Sequence, residues 1–203
     1  MEVFKYKSIT VPTIGDFRDR GSKFHAFAFP ISSLDDVKVR VQQLKKEHPK
    51  AVHHCFAFRL GTDGTQFRAN DDGEPSGSAG KPILGQIDSF GVTNVLVLVV
   101  RYFGGSLLGV PGLINAYKTA TTHALQQASL IEKWVEEKYA LEFQYPIMSE
   151  VLYILKQHEA SIYKQDLQLF CMMEVGVPKK FLDDCLKKLK EMNNLKLTLI
   201  KGI

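Results

Sequence analysis

Residues 95–100, V-L-V-L-V-V, constrain the fold more than any other stretch. The run is apolar at every position, so neither of its faces tolerates water, and it is far too short to cross a bilayer as a helix. A short valine-rich run of this kind reads as a strand covered on both sides. Glycine-rich loops flank it. Residues 70–84 read N-D-D-G-E-P-S-G-S-A-G-K-P-I-L, and residues 101–117 read R-Y-F-G-G-S-L-L-G-V-P-G-L-I-N-A-Y. Nine of the chain's 15 glycines lie between Gly73 and Gly112. Glycine serves where the backbone needs positive φ or approaches another group closely. An ordinary core does not need that concentration, so a functional surface is expected at the two loops. The first carries Asp71, Asp72 and Glu74. The second starts at Arg101 and carries Gly104, Gly105, Gly109 and Gly112.

These two motifs together resemble the signature of the YigZ/IMPACT family. Residues 19–28, D-R-G-S-K-F-H-A-F-A, and 48–58, H-P-K-A-V-H-H-C-F-A-F, match the same pattern. The resemblance covers essentially the whole chain, including a second domain of the bacterial type. It implies a first domain similar to domain 2 of ribosomal protein S5, and a second similar to the last domain of elongation factor G. It also implies a link to translation. In the eukaryotic relatives that link is control of a kinase that phosphorylates an initiation factor. Those relatives carry a different additional domain, so that partner is not carried over here.

A chain of 203 residues suits one large domain or two small ones. Hydrophobic residues at 45% and charged residues at 24% are ordinary for a globular protein. The net charge of +4 is spread over both halves and is a weak nucleic-acid signal. Cys55, Cys171 and Cys185 form no C-x-x-C pair and sit in apolar periodic segments. They read as reduced thiols of a cytoplasmic protein. The first residues, M-E-V-F-K-Y-K-S, lack the apolar core of a signal peptide. No segment is expected to span a membrane.

Along the chain, one strand is expected near residues 9–11. A second covers 22–29, with Phe24, Ala26 and Ala28 on one face and Phe27 and Phe29 on the other. Ser32 or Ser33 caps a helix whose stripe is Leu34, Val37, Val41 and Leu44. Residues 51–60 and 66–69 form a hairpin around G-T-D-G. Pro82 opens a helix that Gly91 closes. Pro111 opens another, burying Leu113, Ala116, Tyr117, Ala120 and Ala124. The composition shift at W-V-E-E-K places the domain boundary at 135/136, giving domains 1–135 and 136–203. The second reads strand, helix, strand, strand, helix, strand, with one strand over 167–177 and a lysine-rich helix over 178–193. The fold class is therefore α+β, with a ferredoxin-like βαββαβ second domain.

Each chemical candidate has two readings. Asp71, Asp72 and Glu74 are either a metal or base cluster, or turn residues that also pair with Arg101 or Lys81. Gly104 to Gly112, ahead of a helix, either cradle an anion or let strand and helix pack closely. The spacing matches neither a Walker A loop nor a dinucleotide fingerprint. Adjacent His53 and His54 point to opposite strand faces, and His54 shares its face with Phe56 and Phe58 as a satisfied core histidine. Ser76, Ser78 and Ser106 lack a nucleophile elbow and read as turn or cap residues. The lysines of 179–190 alternate with acids and read as a solvated face.

The anion-site candidates are Asp71, Asp72, Glu74, Ser78, Lys81, Arg101, Gly104, Gly105, Gly109 and Gly112. No catalytic set, cofactor or metal is assigned. The reading is a non-catalytic binding protein whose partner is RNA, the ribosome or a translation-associated protein. The alternative is an enzyme acting on a phosphorylated or nucleotide-like small molecule. The sequence leaves the oligomeric state open.

Overall fold

A computed structural model describes residues 4–200. The expected domain ends at 1–3 and 201–203 lie outside the described residues. The chain is mixed α/β and divides into two compact units: Tyr6–Lys133, and residues 134–200 together with 4–5.

Five antiparallel strands build the sheet of the first unit. They are β2 (Thr13–Asp19), β3 (Ser22–Pro30), β4 (His53–Leu60), β5 (Gln66–Asn70) and β6 (Val95–Tyr102), in the order β2-β3-β6-β4-β5. Helices cover both faces. On one, α2 (Gly80–Phe90) and α3 (Gly109–Gln126) pack against Phe24, Ala26, Ala28, Val95, Val97 and Val99. On the other, α1 (Leu34–Glu47) packs with Val37 and Leu44 against Phe29, Leu96, Leu98 and Val100. Residues 95–100 of central β6 are thus apolar at every position because both faces of the strand are covered, within a wholly antiparallel sheet. A separate two-stranded ribbon pairs β1 (Lys5–Ile9) with β7 (Leu130–Trp134).

Local chemistry fixes the helix ends. Ser33 Oγ accepts from the Asp36 amide at 3.2 Å while the Asp36 carboxylate accepts from the Ser33 amide at 3.0 Å, a reciprocal capping box. Gly91 closes α2 in the left-handed conformation, with φ 63°.

In the second unit the sheet order is β11-β8-β10-β9, all antiparallel, from β8 (Glu136–Gln144), β9 (Ser161–Leu167), β10 (Phe170–Pro178) and β11 (Leu195–Ile200). Helices α4 (Met148–Gln157) and α5 (Leu182–Glu191) cover one face, around Leu141, Leu155, Met173, Val175 and Leu189. The other face carries charges that are engaged. Lys196 meets Glu142 at 3.0 Å, Lys164 meets Glu174 at 3.1 Å, and Lys138 lies 4.5 Å over the Tyr163 ring.

Several boundaries differ from expectation. The lead-in holds β1 and β2 rather than one strand at 9–11. β2 alternates weakly and is held by its partner β3 and by Gly15 lying against the backbone of α3. Helix α2 begins before Pro82, because a carboxylate outside the helix caps it. The strand expected over 167–177 is divided between β9 and β10 by a turn at Gln168 and Leu169. The helix expected from 178 begins as a 3-10 turn over Lys179–Phe181. No helix among the described residues is long and apolar enough to cross a membrane.

Candidate functional site

Strand register places the first chemical contact. β4 pairs with β6 so that His53 stands opposite Arg101. Alternation then puts Arg101 on the face of β6 that carries Val97 and Val99, the face covered by α3. The guanidinium therefore ends beneath a helix, and Arg101 is only 5% exposed. A buried cation needs a partner, and the first glycine loop supplies it. Arg101 Nη1 donates to Glu74 Oε1 at 2.5 Å, and the Tyr117 hydroxyl donates to the same oxygen at 2.8 Å. The Cys55 thiol lies 3.3 Å from the Tyr117 hydroxyl and 2.9 Å from the Asp71 carbonyl. His53 Nδ1 sits 2.8 Å from the carbonyl oxygen of Asp72, which can only accept. Nδ1 is therefore the protonated nitrogen, and Nε2 faces Glu74 Oε2 at 3.9 Å.

The three acids do not converge. Asp71 caps α2: its carboxylate accepts from the amides of Gly77 at 2.9 Å, Ala79 at 3.0 Å and Gly80 at 2.8 Å. Burial pushes this carboxyl up, but the amides of Gly77, Gly80 and Ala79, helped by Lys81, outweigh it and hold the pKa below the ordinary value. Asp72 accepts from the His54 amide at 2.7 Å and meets Lys45 Nζ at 3.3 Å. Only Glu74 reaches Arg101. No group of three or more His, Cys, Asp or Glu placed to hold a metal is found among the described residues.

The remaining candidates separate in the same way. Ser78 is buried and donates to the Pro75 carbonyl at 2.6 Å, a turn contact. Gly104 lies so close to the neighbouring strand that a Cβ would stand 1.9 Å from the carbonyl carbon of Gly21, so close packing explains it. Gly105, with φ +87° and open space beside it, keeps a left-handed bend. His54 is buried as expected but not satisfied: its Nε2 has no hydrogen-bond partner. Burial holds its pKa below the ordinary value, and Asp72 counters in part.

Residues of both glycine-rich stretches line an open cleft of about 340 Å³ at the ion pair. Its floor is His53, Glu74 and Arg101. Its walls include Val52, Phe103, Leu107 and Val110, which are 55%, 47%, 83% and 46% exposed. Gly109 and Val110, in the first turn of α3, also line it. That turn has no side-chain cap and no acidic residue. Arg101 Nε is buried and has no hydrogen-bond partner. Lys81 is exposed beside Gly77 and takes no part in the lining.

Nucleophilic chemistry finds little here. Burial pushes the Cys55 thiol far up; the Tyr117 contact opposes this in part, and the charges of Glu74, Asp72 and Asp71 add to it. It stays protonated at neutral pH. The Tyr117 hydroxyl is also pushed far up, chiefly by burial.

Sequence reasoning missed His53, Tyr117 and Cys55 as members of one network, and Phe103, Leu107 and Val110 as its rim. Only Tyr117 had a signal, its place at the end of the second motif.

The Impact N-terminal domain family model matches residues 20–125, which contain both loops and every residue lining the cleft. The chain is also 34% identical to IMPACT family member YigZ of Escherichia coli strain K12 over 181 residues, 88% of this chain and 89% of that one. The chain belongs to the IMPACT family. A crystal structure described as that of a hypothetical protein covers 100% of both chains at 30% identity, with a TM-score of 0.73. A more distant structure, described as the two-domain translational regulator Yih1, covers 63% of this chain and 49% of its own at 27% identity. Its TM-score of 0.36 is too low to guide the fold here.

Proposed function

We propose that this IMPACT family chain is a cytoplasmic, non-catalytic binding protein of translation regulation that acts through the rim of the cleft. The link to translation is what the family resemblance implies, and membership of the family supports it. The observation that carries the mode of action is the composition of the loop surface. Exposed Phe103, Leu107 and Val110 surround an arginine whose charge Glu74 already neutralises. An apolar rim over a spent ion pair suits contact with protein. A polyanion would want clustered free cations, and the lysines on the open sheet face of the second unit are engaged with Glu142, Glu174 and Tyr163. The partner is therefore a ribosomal or translation-associated protein rather than bare RNA.

The supporting architecture is proposed likewise: domains meeting at 135/136, the first similar to domain 2 of ribosomal protein S5. The second has the strand order of a ferredoxin-like sandwich similar to the last domain of elongation factor G. The three free, buried cysteines support a reducing compartment.

Sedimentation of the full chain through a sucrose cushion with unwashed and salt-washed ribosomes tests this reading. Co-sedimentation is expected with at least the unwashed particles, with a shallow salt dependence and loss on Leu107→Ser. Absence from both pellets, or retention of full binding by Leu107→Ser, rejects the reading.

A further inference from the structure

We infer that the cleft receives a primary carboxamide, the side chain of a Gln or Asn flanked by apolar residues of a partner polypeptide. The inference rests on the binding reading above and specifies its ligand. It starts from an excess of acceptors on the floor. Glu74 uses one carboxylate oxygen twice: Oε1 accepts from Arg101 Nη1 and from the Tyr117 hydroxyl. Its Oε2 accepts from no donor within hydrogen-bond reach among the described residues, although the side chain is only 3% exposed. His53 Nδ1 gives its proton to the Asp72 carbonyl, so in the neutral ring Nε2 is a second acceptor, and it faces Oε2 at 3.9 Å. At that distance no hydrogen bond joins the two. His53 and Glu74 both line the cleft, and neither atom is among the fully buried ones without a partner, which are His54 Nε2 and Arg101 Nε. A group that fills the cleft therefore has to bring donors, because sealing off a carboxylate oxygen unpaired is costly.

Charge and the opposite wall select among donors. Arg101 already cancels Glu74. An ammonium would satisfy both acceptors but leave a net positive charge among apolar walls, beside the positive end of the α3 dipole. A carboxylate or phosphate would turn its own oxygens toward Oε2 and Nε2. A carboxamide is neutral and carries both functions. Its NH₂ offers two N–H groups to Oε2 and Nε2, and its carbonyl needs a donor. The first turn of α3 supplies one. Gly109 lines the cleft and has no side chain, so main chain faces it there. The amides of Gly109 and Val110 have neither an intrahelical acceptor nor a side-chain cap. Val52 on one flank, and Phe103 and Leu107 on the other, suit a chain that passes across the cleft with its carboxamide pointing down to Glu74. A volume of about 340 Å³ accommodates that side chain with parts of its neighbours.

The test is an array of capped pentapeptides read with the full chain at about pH 8, where an ordinary imidazole is neutral. The central residue is Gln, Asn, Met, Glu or Lys, and the flanks are Leu or Ser. Gln or Asn centres between Leu flanks are expected to bind about tenfold better than Met, Glu or Lys centres, Met copying the length of Gln without its hydrogen bonds. Leu107→Ser, at a surface position, is expected to lose that binding about tenfold. His53→Phe keeps a flat ring but removes Nε2, and is expected to reduce the Gln-over-Met preference severalfold while retaining the Leu-over-Ser one. Its melting temperature is followed alongside; if the variant does not fold, the preference of the parent chain decides. Equal binding of Gln and Met centres, preference for Glu or Lys, an undiminished Gln-over-Met preference in folded His53→Phe, or binding of no peptide overturns the inference. Leu107-dependent ribosome co-sedimentation without a carboxamide preference rejects this inference and leaves the binding reading standing. Co-sedimentation indifferent to Leu107→Ser rejects the binding reading itself.

Discussion

Two ion pairs in this molecule use the same chemistry in opposite surroundings. Arg101–Glu74 has side chains 6% and 3% exposed, and a tyrosine hydroxyl completes it. Lys196–Glu142 lies on an open sheet face with side chains 68% and 46% exposed. In water the second pair trades hydration for a weak, screened attraction. In the core the first pair has no such alternative, and each partner is obligatory for the other. The difference teaches where charge is structural in this fold: Arg101 fastens the acidic loop to the end of β6, while Lys196 only decorates β11.

The largest expected effect breaks the buried pair. Glu74→Ala leaves the guanidinium buried without a counter-charge and is expected to cost about 3–5 kcal/mol in chemical denaturation. A loss below about 1 kcal/mol would make the two pairs equivalent and end the contrast. Tyr117→Phe removes one donor to Glu74 Oε1 and is expected to cost about 1–2 kcal/mol.

Asp71→Asn sharpens the comparison from the side of the loop. It weakens the acceptance from the amides of Gly77, Ala79 and Gly80 at and ahead of the start of α2 and is expected to cost about 0.5–2 kcal/mol, the range for a lost helix cap. Asp71 has a folded pKa below its unfolded value. Its contribution is therefore complete above about pH 3.9 and is lost as pH falls further through the folded value. The variant should flatten stability in that acid window and leave neutral pH slopes unchanged.

His54 gives a second pH window with its own sign. Its folded pKa is depressed, chiefly by burial. The unfolded chain then binds the proton more readily, so stability is full above about pH 6.5 and falls as pH drops below it. Melting temperature followed from pH 8 to 5 should decline, and His54→Leu should flatten the decline. An unchanged slope in the variant would assign it to another group.

The smallest effect is Lys196→Ala, expected within about 1 kcal/mol and further reduced by salt. A larger loss would show that the exposed face is an organised network rather than a set of independent pairs.

Periodicity and breaker residues carried most of the fold. The capping box at Ser33, the left-handed stop at Gly91 and the buried stripe of α3 depend on neighbours within a few residues, and they are legible in the sequence for that reason. The β9–β10 turn was not legible, because L-Q-L-F reads as uninterrupted strand and only pairing with β8 decides where it bends. At the site, local pattern marked the two loops as special and named Arg101 and Glu74 as ions. It offered pairing of Arg101 with the acidic loop as one of two readings but did not show that Glu74, rather than Asp71 or Asp72, is the partner. Asp71, Asp72 and Glu74 are equivalent as letters, and their fates differ only through position: one faces the amides of α2, one the start of β4, and one the guanidinium.

The sequence by itself determined that a doubly covered strand separates two loops built of glycine, because a run apolar at every position has no other stable surroundings in water. The tertiary structure alone decided that His53 stands opposite Arg101 and that Tyr117 and Glu74 close over it. Strand register and helix docking are set by the sum of many weak contacts between residues distant in the chain. No local pattern records that sum.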